Sequence, residues 1–262
     1  MIRNLLLAIP MLLLALTAIN AQDFSAYQKK WVIRGTDTLP YRLLLPENYS
    51  AKKKYPLILF MHGSGERGRD NEKQLLHGGD LFLKDSIRKQ YQAIVVFPQC
   101  PEGSTWAAGI TSKYDSAKNR TFIFQNDAPP TVPMQLVQQL LAQLQKDFPI
   151  DKKRIYVGGL SMGGMGTYDL VRRNPTMFAA AFPICGAADP STASQLTKPS
   201  WWIFHGALDN TVPPMYSQQM ADALKKAGAD VHFTLYPNAS HNSWDSAFAE
   251  PGLMPWLFSK HR

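Results

Sequence analysis

Cysteine is nearly absent: Cys100 and Cys185 are the two in 262 residues. Two cysteines make no disulfide scaffold, so stability has to come from a packed core. Beyond Ala21 no apolar run is long enough to span a bilayer, which needs about 20 residues. No histidine pair has metal-ligand spacing and no glycine-rich phosphate loop occurs, so neither a metal nor a nucleotide cofactor is implied. Internal repeats, low-complexity tracts and linkers are missing too, which points to a single domain. The net charge of +8 is carried by scattered Lys and Arg. The one basic run, Lys52-Lys53-Lys54, precedes an apolar segment and reads as a solvated loop. Nothing therefore indicates a nucleic-acid partner.

The first residues form a separate unit. Met1 to Asn4 carry one positive charge, at Arg3, and Leu5 to Ile19 are almost entirely apolar. Small residues end at Ala21, and polar sequence begins at Gln22-Asp23. This is the pattern of a secretory signal peptide. The expectation is a signal peptide at 1–21 and a catalytic domain at 22–262. The protein would be secreted or periplasmic, with no stable membrane insertion once the signal is removed.

In the remainder, short apolar runs end repeatedly in Gly or Pro: Leu57 to Met61, Ala93 to Phe97, Ile155 to Val157, Ala179 to Ile184, Trp201 to Phe204 and Val231 to Tyr236. Continuous apolar runs suit strands buried on both faces of a sheet. Lys30 to Gly35 and Leu39 to Leu45 alternate more and predict an N-terminal antiparallel hairpin. Val132 to Phe148, Met162 to Arg173 and Met215 to Ala227 predict helices between the runs. In Val132 to Phe148, residues 132, 136, 137, 140, 141 and 144 share an apolar face. Strands alternating with helices imply a mostly parallel α/β sheet covered on both sides, with chemistry at the carboxyl ends of the strands. The polar stretch 101–130, sprinkled with aromatics, is too long for an ordinary connection and reads as an insertion over the active site.

Gly159-Leu160-Ser161-Met162-Gly163 is a G-x-S-x-G pattern set between a buried strand and an amphipathic helix. That context projects a serine hydroxyl above the sheet edge and makes Ser161 the candidate nucleophile. A serine needs a base. Of the six histidines, His241 lies in a loop just past the last strand, where the base belongs when the order is Ser, acid, His. His62 and His205 each end a strand before Gly and read as stabilisers of strand-end loops. Asp209, beyond the strand ending in His205-Gly206, is the candidate acid; Asp189, past the preceding strand, competes with it. The candidate oxyanion donors are the N–H of Met162 and the Gly63–Ser64 region, which follows an earlier strand. Trp106 and Trp244 are candidate substrate-stacking residues, for an aromatic acyl group or a sugar ring, with core or loop packing as the alternative for each.

His62-Gly63-Ser64-Gly65-Glu66-Arg67-Gly68, Pro98-Gln99-Cys100-Pro101, the segment 159–164, His205-Gly206 with Asp209 and Val212-Pro213, and Ser240-His241-Asn242 with Trp244 together form a recognisable set. From about Lys30 onward the chain resembles the secreted α/β-hydrolase esterases related to feruloyl esterases, acetyl-xylan esterases and polyhydroxybutyrate depolymerases, whose relatives are often labelled predicted peptidases. The resemblance implies a serine carboxylic-ester hydrolase with a Ser161–Asp209–His241 triad, no cofactor, and a small-molecule or polysaccharide ester as substrate, feruloyl or acetyl esters of plant cell walls above all. It also implies a strand order that separates Cys100 from Cys185 and leaves both thiols free. A serine peptidase on the same triad is the alternative reading.

Overall fold

A computed structural model describes residues 22–262 apart from 118 and 119; the expected signal peptide lies outside the described residues. The chain opens with β1 (Gln28–Arg34), β2 (Asp37–Leu44) and β3 (Tyr55–Met61), followed by the short helix α1 (Asp85–Gln90) and β4 (Ile94–Pro98). Next come β5 (Ile110–Tyr114), β6 (Arg120–Phe124), α2 (Val132–Asp147), β7 (Ile150–Leu160) and α3 (Met162–Arg173). The remainder is β8 (Ala180–Ile184), β9 (Ser200–Gly206), α4 (Met215–Lys226), β10 (Val231–Tyr236), α5 (Trp244–Ala249) and α6 (Leu253–Ser259).

Eight strands form one sheet in the order β1-β2-β4-β3-β7-β8-β9-β10. From β4 to β10 every neighbouring pair is parallel, while β2 runs antiparallel to both β1 and β4. The β1–β2 pair is the expected N-terminal hairpin, joined at Gly35, whose φ is +59°. β3 illustrates why its sequence is apolar throughout. Leu57, Leu59 and Met61 enter the core under α2, α3 and α4, while Ile58 and Phe60 enter the core on the opposite face, under α1, α5 and α6. A strand buried on both sides has no position left for a polar residue.

The helices are set by capping and breaking residues. Thr131 caps α2 by accepting a hydrogen bond from the Met134 N–H at 3.2 Å, and Pro133 occupies the first turn. α4 ends before Gly228, which takes φ +87°. Strand β4 lies two places from β7 and three from β8, so Cys100 and Cys185 cannot meet, and both are buried free thiols. No helix among the described residues is long and apolar enough to cross a membrane.

The segment 101–130, expected as an insertion over the active site, carries secondary structure of its own. β5 and β6 pair as a two-stranded antiparallel hairpin apart from the main sheet, from Ile110↔Phe124 to Tyr114↔Arg120. It docks through Phe122, whose ring packs edge-on against Tyr216 at 5.2 Å and whose N–H donates to the Tyr216 hydroxyl at 2.8 Å.

Candidate active site

The first functional element is the turn between β7 and α3. Ser161 has φ +53° and ψ −116°, in the left-handed half of the map that a non-glycine residue rarely occupies. The turn is held by the Ser161 N–H donating to the Ile184 carbonyl at 2.8 Å and by the Met165 N–H donating to the Ser161 carbonyl at 3.0 Å. Gly163 is required by space: a Cβ there would drive into the carbonyl of Met61. Helix α3 therefore starts hard against the end of β3, with Ser161 at its N-terminal boundary.

His241 lies in the loop after β10. Its Nε2 is 3.0 Å from Ser161 Oγ, and its Nδ1 is 2.7 Å from Asp209 Oδ2. Asp209, in the loop after β9, has no exposed side-chain surface. Its Oδ1 accepts from the N–H groups of Thr211 at 2.8 Å and Val212 at 2.9 Å. Burial by itself would raise this carboxyl. Hydrogen bonds from His205, His241 and Val212 outweigh that effect and hold it well below the ordinary carboxylate range. Asp209 is thus ionised whenever the site operates. Asp189 is elsewhere, capping the turn at Pro190–Gln195 through the Ser191 N–H and accepting from Asn126. Asp245 contacts Asn242 rather than His241.

The loop after β3 faces the same point. A Cβ placed on Gly63 would stand 3.6 Å from Ser161 Cβ and 2.8 Å from Leu160 Cδ1, so this backbone approaches the nucleophile as closely as a side-chain-free residue allows. His62 fixes it. Its Nδ1–H donates to the Gly63 carbonyl at 2.6 Å, and its Nε2 accepts the Cys100 N–H at 2.9 Å. In a trans peptide, a Gly63 carbonyl turned toward His62 turns the Ser64 N–H the opposite way. Burial pushes the His62 imidazole down to about 4, partly opposed by the Gly63 carbonyl, so the ring is neutral in this role. It holds a strand-end loop, as its position before glycine suggested.

Trp106 is a correction. Expected to stack on substrate, it is fully buried, donates its indole N–H to the His62 carbonyl at 3.0 Å and packs edge-on against the His62 ring. A desolvated indole needs a partner for its N–H, and here that partner is the strand end itself. No face remains for a ligand. Trp244 is partly exposed, 5.5 Å edge-on from the His241 ring and 4.9 Å from His77, beside a depression that also includes Leu76 and Phe248.

His205 is the residue whose reach the sequence understated. It is fully buried; its Nε2 lies 3.1 Å from Asp209 Oδ2 and 2.9 Å from the Val212 carbonyl, and its Nδ1 2.7 Å from Ser217 Oγ. Both groups facing Nε2 are acceptors, so Nε2 carries the hydrogen. Asp209 Oδ2 is therefore shared by two imidazoles. Spacing gave the signal: His205 and Asp209 are four apart on one strand-end loop.

An open cleft runs beside the nucleophile, lined by Ser161, Met162 and Met165 together with Ile110, Arg120 and Phe122 of the hairpin. Among the described residues, the one group of three potential metal-ligating side chains is Cys185, Asp209 and His241, two of which belong to the hydrogen-bonded chain just described.

A parallel sheet with a strained serine turn, a His and a buried carboxylate at its carboxyl edge defines a serine hydrolase of the α/β-hydrolase fold. The chain belongs to the phospholipase/carboxylesterase family, which it matches over residues 48–250. It is 28% identical over 192 residues to the bifunctional acetylxylan esterase/xylanase XynS20E of Neocallimastix patriciarum, spanning 70% of this chain and 24% of that protein. It is 24% identical over 219 residues to the probable feruloyl esterase C of Aspergillus flavus, spanning 81% of this chain and 72% of that one. Among solved structures, a thermostable esterase superposes with a TM-score of 0.79 at 30% identity, covering 90% of this chain and 64% of the other. The chain thus spans about a quarter of the first of these proteins and under two thirds of the last.

Proposed function

We propose that this protein is a secreted serine esterase that releases acyl groups, feruloyl or acetyl, from esters of plant cell-wall polysaccharide. The observation that carries the catalytic part is the unbroken chain Ser161 Oγ–His241–Asp209, with spacings of 3.0 and 2.7 Å. Ser161 attacks the ester carbonyl as His241 Nε2 takes its proton. Asp209 holds the Nδ1–H tautomer and stabilises the imidazolium that forms. The N–H of Met162, first residue of α3, and the Gly63–Ser64 backbone donate to the oxyanion. His241 returns the proton to the leaving alcohol; water, activated by the same histidine, then releases the acid.

The polysaccharide reading is supported by the acetylxylan and feruloyl esterase names of the relatives and by the openness of the cleft, which admits a polymer. The ring contact of the partly exposed Trp244 with His241 supports a role for Trp244 in stacking on a sugar ring of the substrate. Secretion is supported by the apolar stretch Leu5 to Ile19 and the small residues ending at Ala21. The test is a panel assayed with residues 22–262: p-nitrophenyl acetate and butyrate, methyl ferulate, acetylated xylan and a peptide amide. Turnover of the esters, lost in Ser161→Ala, is the expected result. Amide turnover well above ester turnover would instead make the protein a peptidase.

A further inference from the structure

We propose that the cleft under the β5–β6 hairpin binds a carboxylate carried by the ester substrate, so that the favoured substrates are anionic esters; this rests on the ester-hydrolase reading above. The cleft that contains Ser161 and Met162 is also lined by Arg67 and Arg120, and by no Asp or Glu. Elsewhere, Arg34, Arg88, Arg154, Arg172 and Arg173 each lie within 4.0 Å of a carboxylate, and the buried Arg42 is held by the carbonyls of Asn71 and Phe24. Arg67 and Arg120 have no carboxylate partner among the described residues.

Arg120 is nonetheless held in place. Arg120 donates from Nε to Ser112 Oγ at 3.0 Å and from Nη1 to the Thr211 carbonyl at 3.0 Å, and its guanidinium lies over the Phe122 ring at 4.7 Å. Arg67 is partly buried, and its Nε is enclosed without any hydrogen-bond partner. A guanidinium drawn out of water without an anion is costly, and an enclosed donor left unpaired costs more. Two guanidinium groups lining one cleft, one of them with an enclosed unpaired donor, beside a nucleophile and with no Asp or Glu in the lining, form a receptor for a planar anion. Arginine forks match a carboxylate in two-point geometry.

The leaving alcohol must reach His241 Nε2, 3.0 Å from Ser161 Oγ, to be protonated. Ser161 itself lines the cleft, so the carboxylate can belong to either the acyl or the alcohol part, and two pairs of probes separate the cases. Monomethyl glutarate against dimethyl glutarate puts the charge on the acyl part. Sodium 4-acetoxybutyrate against its methyl ester puts it on the alcohol part.

In at least one pair, kcat/KM by pH-stat should be higher for the anionic member by at least about tenfold. That preference should weaken as NaCl is raised. It should collapse toward unity in Arg67→Gln/Arg120→Gln and partly return in Arg67→Lys/Arg120→Lys. Preference for the neutral member in both pairs, with turnover still dependent on Ser161, overturns the inference and leaves the esterase reading intact. If no ester is turned over, that reading fails by itself, and calorimetry on Ser161→Ala still decides the inference. Binding of monomethyl glutarate or 4-acetoxybutyrate that is lost with the two Gln substitutions supports it; absence of binding overturns it.

Discussion

At the scale of single residues, the nucleophile and base follow from a short list of constraints. A serine in a strand–turn–helix context must sit where the backbone is strained, and Ser161 does so at φ +53°. Replacing it with Ala should abolish ester turnover, by at least about 10⁴-fold, since the members of such a triad act as a unit. Thermal unfolding should be little changed, because the hydroxyl's one side-chain hydrogen bond in the structure is to His241. Asp209 and Asp189 both follow a strand, and the hydrogen bonds separate the two. His205 was harder to read. A histidine ending a strand can face either the core or the site, and nothing in a linear sequence says that two imidazoles share one carboxylate oxygen. His205→Asn should cost turnover by loosening Asp209. The loss should fall on kcat more than on KM, because a displaced Asp209 acts on the proton transfer and not on substrate binding. A residue that merely supported the fold would lower the unfolding temperature and turnover in step.

At the scale of elements, the main sheet and its helices were legible because their burial is extreme. A strand apolar at every position, as in Leu57 to Met61, has one home, and a helix closed by Pro149 has one end. The β5–β6 hairpin was not legible for the opposite reason. In β5 only Ile110 and Tyr114 are apolar, and none of its residues is fully buried. In β6 the outward Ile123 sits between the inward Phe122 and Phe124, which hides the two-residue period. The remaining signal, β-branched and aromatic residues either side of a polar turn, is weak without packing partners. Those partners lie far away in sequence, on α4. Tyr216→Phe removes the acceptor for the buried Phe122 N–H and should destabilise the hairpin by about 1–3 kcal/mol. Limited proteolysis should then cut between β5 and β6 faster, while the global unfolding temperature moves little. KM for substrates that fill the cleft should rise more than KM for p-nitrophenyl acetate. Equal proteolysis of the variant and the parent would mean that Phe122 docking does not depend on that hydrogen bond.

At the scale of the whole molecule, the same groups that shape the site tie folding to acidity. His62 is depressed to about 4 from an ordinary value of 6.5, with burial as the main cause. In the unfolded chain it takes up a proton near 6.5, and in the native fold only near 4. The unfolded state therefore binds more protons between those limits, and stability falls as pH drops from 6.5 toward 4. The loss is about 3 kcal/mol if the shift is fully expressed. Asp209 acts in a later window. Its folded value lies below its unfolded one, so its contribution is present above the ordinary carboxylate range and is lost as pH falls below it. Urea unfolding of the parent should show two successive declines, the first from His62 and the second from Asp209 together with the other depressed carboxylates. His62→Asn would start from a lower stability, having lost either the link to Gly63 or the one to Cys100, but its curve should be nearly flat across the first window. A parent curve that is itself flat between pH 6.5 and 4 would mean that His62 is protonated in the native fold. It would then be a donor at both nitrogens, and the Cys100 N–H would lose its acceptor. The loop carrying Gly63 and Ser64 is anchored through this ring, so activity and stability should decline together over that first window. Loss of stability over that window in the parent, recovered on return to neutral pH and missing from His62→Asn, would identify the neutral His62 imidazole as its cause.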